Sequence, residues 1–124
     1  MKLLNSLFDI VDTREEVSGF TSTVKLKPDH IIFKGHFPGH PVTPGVVFLQ
    51  LVHELLEHYS GKRFRLVEVS TCKFLKVVNP EQEGEVQVFV SLVYKNEHLE
   101  IKALGKSNVG AVFKLEADYR MFLT

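Results

Sequence analysis

The chain has 124 residues and a mass of 14.1 kDa, the size of one domain. A chain of this mass buries about two-thirds of its surface on folding, and a composition 44% hydrophobic and 24% charged excludes disorder. Fifteen basic residues balance fifteen acidic ones, which argues against a dedicated nucleic-acid binder, and the single cysteine, Cys72, excludes an intrachain disulfide and a zinc-finger cluster.

At the N-terminus, Asn5 and Asp9 interrupt the apolar stretch too early for a signal peptide, and no apolar run approaches a membrane span. A cytoplasmic protein is expected, folded as one domain over residues 1–124. The first strand legible in the residues runs from about Glu16 to Leu26. Residues 34–45 then hold three of the five prolines and three of the eight glycines, so the segment reads as a loop of fixed path.

One long helix follows. Thr43 is the expected N-cap, Pro44 suits the first helical position and Gly61 the stop. Val46, Val47, Phe48, Leu49, Leu51 and Val52 make its first half apolar on every side, which predicts burial all round. The second half becomes amphipathic, with Glu54, Glu57 and His58 expected in water.

The rest of the chain alternates with period two. Leu66 to Val78 reads as an irregular strand ending at Asn79-Pro80. From Glu85 to Lys95, Val86, Val88, Val90, Leu92 and Tyr94 share one face. Leu99, Ile101 and Ala103 repeat the pattern, and Ala111, Phe113, Leu115, Ala117, Tyr119 and Met121 repeat it again. Short polar turns between these strands predict an antiparallel meander. The fold class is therefore α+β, with a long curved sheet around one buried helix.

Within the loop, His36 titrates near neutral pH and is a candidate base. The backbone N–H groups at the helix start, above all that of Gly45, can polarise a carbonyl oxygen. The alternative reading of the same loop is a rigid connector.

The run Gly35-His36-Phe37-Pro38-Gly39-His40-Pro41-Val42-Thr43-Pro44-Gly45-Val46 resembles the signature of the 3-hydroxyacyl-acyl carrier protein dehydratases, G-H-F-P-x-x-P-V-x-P-G-V. The resemblance extends to Leu7-Phe8-Asp9, similar to the family's first strand, and to Lys73–Pro80, similar to its strand before a P-G-D-type turn. It implies the hotdog fold, homodimers or trimers of dimers, and active sites at the dimer interface. It implies His36 as the base that takes the C2 proton of a 3-hydroxyacyl thioester, giving the trans-2-enoyl thioester as water leaves. Gly45 would supply the oxyanion N–H, and Phe37, Pro44 and Val46 would bind substrate. The acyl group would arrive on acyl carrier protein or coenzyme A, with no cofactor.

The family places a catalytic Glu or Asp fourteen residues after its His, and this chain has Gln50 there. An amide can orient a hydroxyl or a water but is no general acid. Glu54, one turn further, is a possible substitute acid. The other readings are proton transfer by His36 alone, thioester hydrolysis on the same scaffold, and a non-catalytic acyl-binding or partner subunit. His53 and His58 lie five residues apart, off one helix face, so no metal site is expected there. Cys72 reads as a small core residue, and His40 as structural or exposed. Lys62, Arg63, Arg65, Lys73 and Lys76 form either a solvated surface or a dock for an acidic carrier protein.

Overall fold

The computed structural model describes residues 2–33 and 43–122. Six strands and one long helix are connected in the order β1 (Phe8–Glu16), β2 (Gly19–Leu26), α1 (Gly45–Ser60), β3 (Phe64–Phe74), β4 (Glu85–Lys95), β5 (His98–Ser107) and β6 (Gly110–Met121), with a short 3-10 turn at Ile31–Phe33. The strands form one antiparallel sheet in the order β1-β2-β4-β5-β6-β3. The predicted α+β class and hotdog layout are both present.

The period-two faces of β4, β5 and β6 explain the core. Val86, Val88, Val90, Leu99, Ile101, Ala103, Phe113, Leu115, Ala117 and Tyr119 are all buried beneath the helix. Each large side chain among them contributes about 1.5–3 kcal/mol by leaving water. Tyr94, expected on this face, is 51% exposed because it lies where the sheet runs past the helix end. Gly105 leaves the space that the Phe113 ring fills, and Phe113 in turn stacks on Phe48 of α1 at 5.1 Å. At the other end of α1, Tyr59 stacks on Phe20 at 4.3 Å.

Three local expectations change. Phe8–Glu16 and Gly19–Leu26 are two strands, joined by Val17-Ser18. The first is an edge strand whose exposed polar run Asp12–Glu16 carries no apolar stripe, so backbone pairing to β2 alone defines it. Next, β3 stops at Phe74, short of Val78, and shifts register between Leu66 and Glu68 and between Val69 and Thr71. Two bulges keep Leu66, Val69 and Cys72 opposite the inward Tyr119, Ala117 and Leu115, which hides the simple period in the sequence. Finally, Cys72 is exposed, not core, because β3 is the sheet edge and the helix does not cover its inward face.

Gly61 ends the helix as expected, with φ of 70° and its N–H bonded to the Glu57 carbonyl. The start differs. Pro44 is the N-cap, at φ −60° and ψ 137°, so the first helical residue is Gly45. Thr43 lies one place too early to cap, and its buried hydroxyl has no hydrogen-bond partner among the described residues. No described helix is long and apolar enough to cross a membrane.

Candidate functional site

The helix is buried on the side that meets the sheet and open on the side that faces past β3. Val47, Phe48, Leu51 and Val52 are buried, whereas Val46 is 67% exposed and Leu49 and Gln50 are half-buried. The prediction of burial all round thus fails on one flank. A sheet with its last strand at β3 cannot cover that flank, so apolar residues face solvent there. Leu66, Val69 and Phe74 continue the same open apolar surface on β3.

Gly45 stands at the head of this surface. Pro44, as N-cap, offers no side-chain hydrogen bond to the first turn of α1, so the partial positive charge of the helix start is open to another acceptor. A Cβ at position 45 would lie 2.6–2.8 Å from ring atoms of Phe74. The lack of a side chain at Gly45 is what lets the half-exposed Phe74 ring lie against the helix start. Thr43 N–H bonds the Val78 carbonyl at 2.9 Å, which fixes the segment leading into Gly45.

Gln50 lies five residues beyond Gly45, about 7.5 Å along the helix, between two cavities. One, of about 230 Å³, is lined by Val46, Leu49, Gln50, His53, Leu66 and Tyr119. The other, of about 430 Å³, is polar and is lined in part by Gln50, His53, Glu54, Glu57 and Arg63. Gln50 thus has polar surroundings on one side. His36 and Phe37 lie outside the described residues.

Glu54 is buried, contrary to its expected place in water. Its carboxylate receives the Leu3 N–H at 2.7 and 2.9 Å, the Leu4 N–H at 2.8 Å and the Gln50 amide at 2.9 Å. Burial is tolerated because every oxygen has donors. These bonds employ Glu54 as an acceptor that ties the N-terminal segment to the helix, and they point it away from the work of an acid. No sequence periodicity signals such a clamp, since its partners are backbone groups fifty residues away.

The neighbouring groups are also engaged. His53 pairs with Glu57 at 3.5 Å and lies against the Tyr119 ring at 5.4 Å. Burial, with the Glu57 charge adding to it, pushes the Tyr119 hydroxyl well above the usual phenol range and keeps it neutral. That hydroxyl has no partner among the described residues. His58 is exposed, and no described cluster of His, Cys, Asp and Glu is arranged to hold a metal. Lys62, Arg63, Arg65 and Lys73 are exposed, whereas Lys76 is paired with Glu83 and leaves the basic patch.

A six-stranded antiparallel sheet around one long helix is the hotdog fold. Residues 12–111 match the ApeI-like family model, described as ApeI dehydratase, and the chain belongs to that family. It is 32% identical over 92 residues to the 3-hydroxyacyl-acyl-carrier-protein dehydratase FabZ of Fusobacterium nucleatum subsp. nucleatum, matching 70% of this chain and spanning 63% of that protein. To the FabZ of Paramagnetospirillum magneticum it is 32% identical over 124 residues, covering 90% of this chain and 75% of the relative. Among solved structures, the dehydratase heterocomplex ApeI:P from Xenorhabdus doucetiae superposes with a TM-score of 0.73 at 16% identity, over 90% of this chain and 96% of that one. A hypothetical thioesterase with coenzyme A from Streptococcus pneumoniae superposes at 0.64 and 11% identity, over 93% and 85%.

Proposed function

We propose that this chain eliminates water from a 3-hydroxyacyl thioester to give the trans-2-enoyl thioester. The observation that carries the reading is the N-terminus of α1 at Gly45, to which Pro44 gives no side-chain cap, with Gln50 on the same open flank, in a member of a dehydratase family.

The chemistry follows from these groups. His36 takes the C2 proton. That proton is weakly acidic unless the thioester oxygen is stabilised as it gains negative charge, which is the task of the Gly45 N–H at the positive end of the helix. Removing one such donor typically costs 10²–10³ in rate, or about 2.7–4 kcal/mol. Val46, Pro44 and Phe37 hold the acyl chain next to the helix start. Gln50 orients the 3-hydroxyl, and His36, protonated in the first step, returns that proton to the departing oxygen. One residue carrying both transfers fits a slow, specialised enzyme.

The protein works as a homodimer through β3. Among the described residues this strand is the last of the sheet, and its Leu66, Val69 and Phe74 are half-exposed. A second copy seated there covers the open flank and closes the site from water. The substrate carrier is an acyl carrier protein or coenzyme A, and the exposed Lys62, Arg63 and Arg65 supply charge for either. Thioester hydrolysis is the second reading. It is supported by the coenzyme A in the similar thioesterase structure and by an amide suited to orienting water.

The test is His36→Ala, with turnover and thermal melting read on the same sample. Loss of enoyl-thioester formation with an unchanged melt is expected, because the Pro- and Gly-rich sequence around His36 reads as a loop and not as core. Wild-type turnover in a folded variant contradicts the assignment.

A further inference from the structure

The segment Phe74–Val78 bears on the helix start at two points. The Phe74 ring lies where a Gly45 side chain would be, and the Val78 carbonyl accepts the Thr43 N–H at 2.9 Å. Val78 and Thr43 are both buried. Little regular structure holds this segment, since β3 ends at Phe74 and β4 begins at Glu85.

The segment is held by Glu83 instead. This buried carboxylate accepts from Lys76 Nζ, from Ser107 Oγ at 2.7 Å and from the Asn79 N–H at 3.4 Å. Its partners bracket Val78 from both sides: Lys76 two residues before it and Asn79 just after it. Ser107, at the end of β5, fastens the cluster to the sheet. The Leu75 N–H adds a bond of 2.7 Å to the Val112 carbonyl of β6. A carboxylate with three donors in a buried place is costly to leave half-satisfied, so the cluster acts as one rigid unit.

We propose that the Lys76–Glu83 ion pair is a brace that sets the position of the Gly45 N–H, through the Val78–Thr43 hydrogen bond and the Phe74–Gly45 contact. Lys76 and Glu83 are positioning residues, neither touching substrate. The proposal rests on the dehydratase reading for its catalytic consequence, while the mechanical coupling stands independently of it.

Two measurements on Glu83→Gln and Lys76→Met test it. The first is amide hydrogen exchange at Thr43 and Gly45 by NMR, and the second is the division of any rate loss between kcat and KM. A core variant, Leu99→Ala, chosen because Leu99 is buried near the end of β5 opposite to Ser107, serves as the comparison for general destabilisation. The brace predicts that Thr43 exchanges about tenfold or more faster in both brace variants than in Leu99→Ala at equal global stability. It also predicts a kcat drop of about tenfold to a hundredfold with KM little changed. Exchange at Thr43 no faster than in Leu99→Ala overturns the coupling. Faster exchange with kcat unchanged in an active enzyme overturns its catalytic consequence. An inactive wild type contradicts the dehydratase reading, and the exchange comparison still decides the brace.

Discussion

The Gln50 side chain donates a 2.9 Å hydrogen bond to Glu54, one turn along the same helix. Glu54 in turn receives the backbone N–H groups of Leu3 and Leu4. The residue at the position where the resemblance implies an acid is thus an amide that donates to a carboxylate, and that carboxylate also fastens the N-terminal segment.

Glu54→Ala follows from this arrangement. It leaves two N–H groups of the N-terminal segment without their acceptor, the Leu3 one buried, and hydrogen bonds to charged groups are worth about 1.5–3 kcal/mol each. A loss of about 3 kcal/mol in unfolding free energy is expected in urea titrations. A loss below about 1 kcal/mol contradicts the clamp.

Two glycine substitutions separate placement from stability. A Cβ at Gly105 would meet the Phe113 ring at 2.1 Å, and that ring is buried with nowhere to go. Gly105→Ala is expected to lose about 3 kcal/mol or more through overpacking. At Gly45 the obstructing ring is Phe74, which is 51% exposed and free to swing aside. Gly45→Ala is expected to stay within about 1 kcal/mol of wild type while losing activity, as the methyl group displaces Phe74 at the site. Matched thermal melts and rate assays check both.

Glu83 gives a pH prediction. Burial by itself raises its pKa, but hydrogen bonds from Lys76, Ser107 and Asn79 and the Lys76 charge outweigh this, so the net shift is below the ordinary 4.5. A folded pKa lower than the unfolded one contributes stability that is present above about pH 4.5 and lost as pH falls through the lowered value. The melting temperature of the wild type is therefore expected to exceed that of Glu83→Gln by a constant margin near neutrality. That margin is expected to narrow below about pH 4.5. A margin that is flat down to about pH 3 contradicts the assignment.

Gln50→Glu places a carboxyl group at the position where the resemblance to the dehydratases implies Glu or Asp. A general acid is worth typically 10²–10⁴ in rate, and the Glu54 carboxylate that the residue at this position faces favours the protonated form of a new carboxyl group. A rise in enoyl-thioester formation of about a hundredfold is expected. No gain in a folded variant contradicts the role given to Gln50.

Much of the fold was legible because β4, β5 and β6 keep a period of two over Val86–Val90, Leu99–Ala103 and Phe113–Tyr119, and these apolar residues fill one face. The bulges of β3 and the polar edge strand β1 broke that rule, and both escaped a reading based on periodicity. The helix was legible from its Pro and Gly ends. Its open flank was not, since Val46 and Leu49 look like core to a pattern that cannot see where a sheet stops. Gly45 was singled out by the long Gly- and Pro-rich motif, and Gln50 by its place fourteen residues after His36. The Glu54 clamp and the Glu83 brace join residues far apart in sequence through single hydrogen bonds, which leave no repeating trace.

The central claim is decided by one assay, in which the purified protein is given a 3-hydroxyacyl thioester and, separately, its saturated counterpart. Ultraviolet absorbance follows the enoyl thioester and a thiol reagent follows release of the carrier. The account predicts enoyl formation from the hydroxyacyl substrate, and no thiol release from the saturated one. Thiol release without enoyl formation would contradict it and establish hydrolysis in its place.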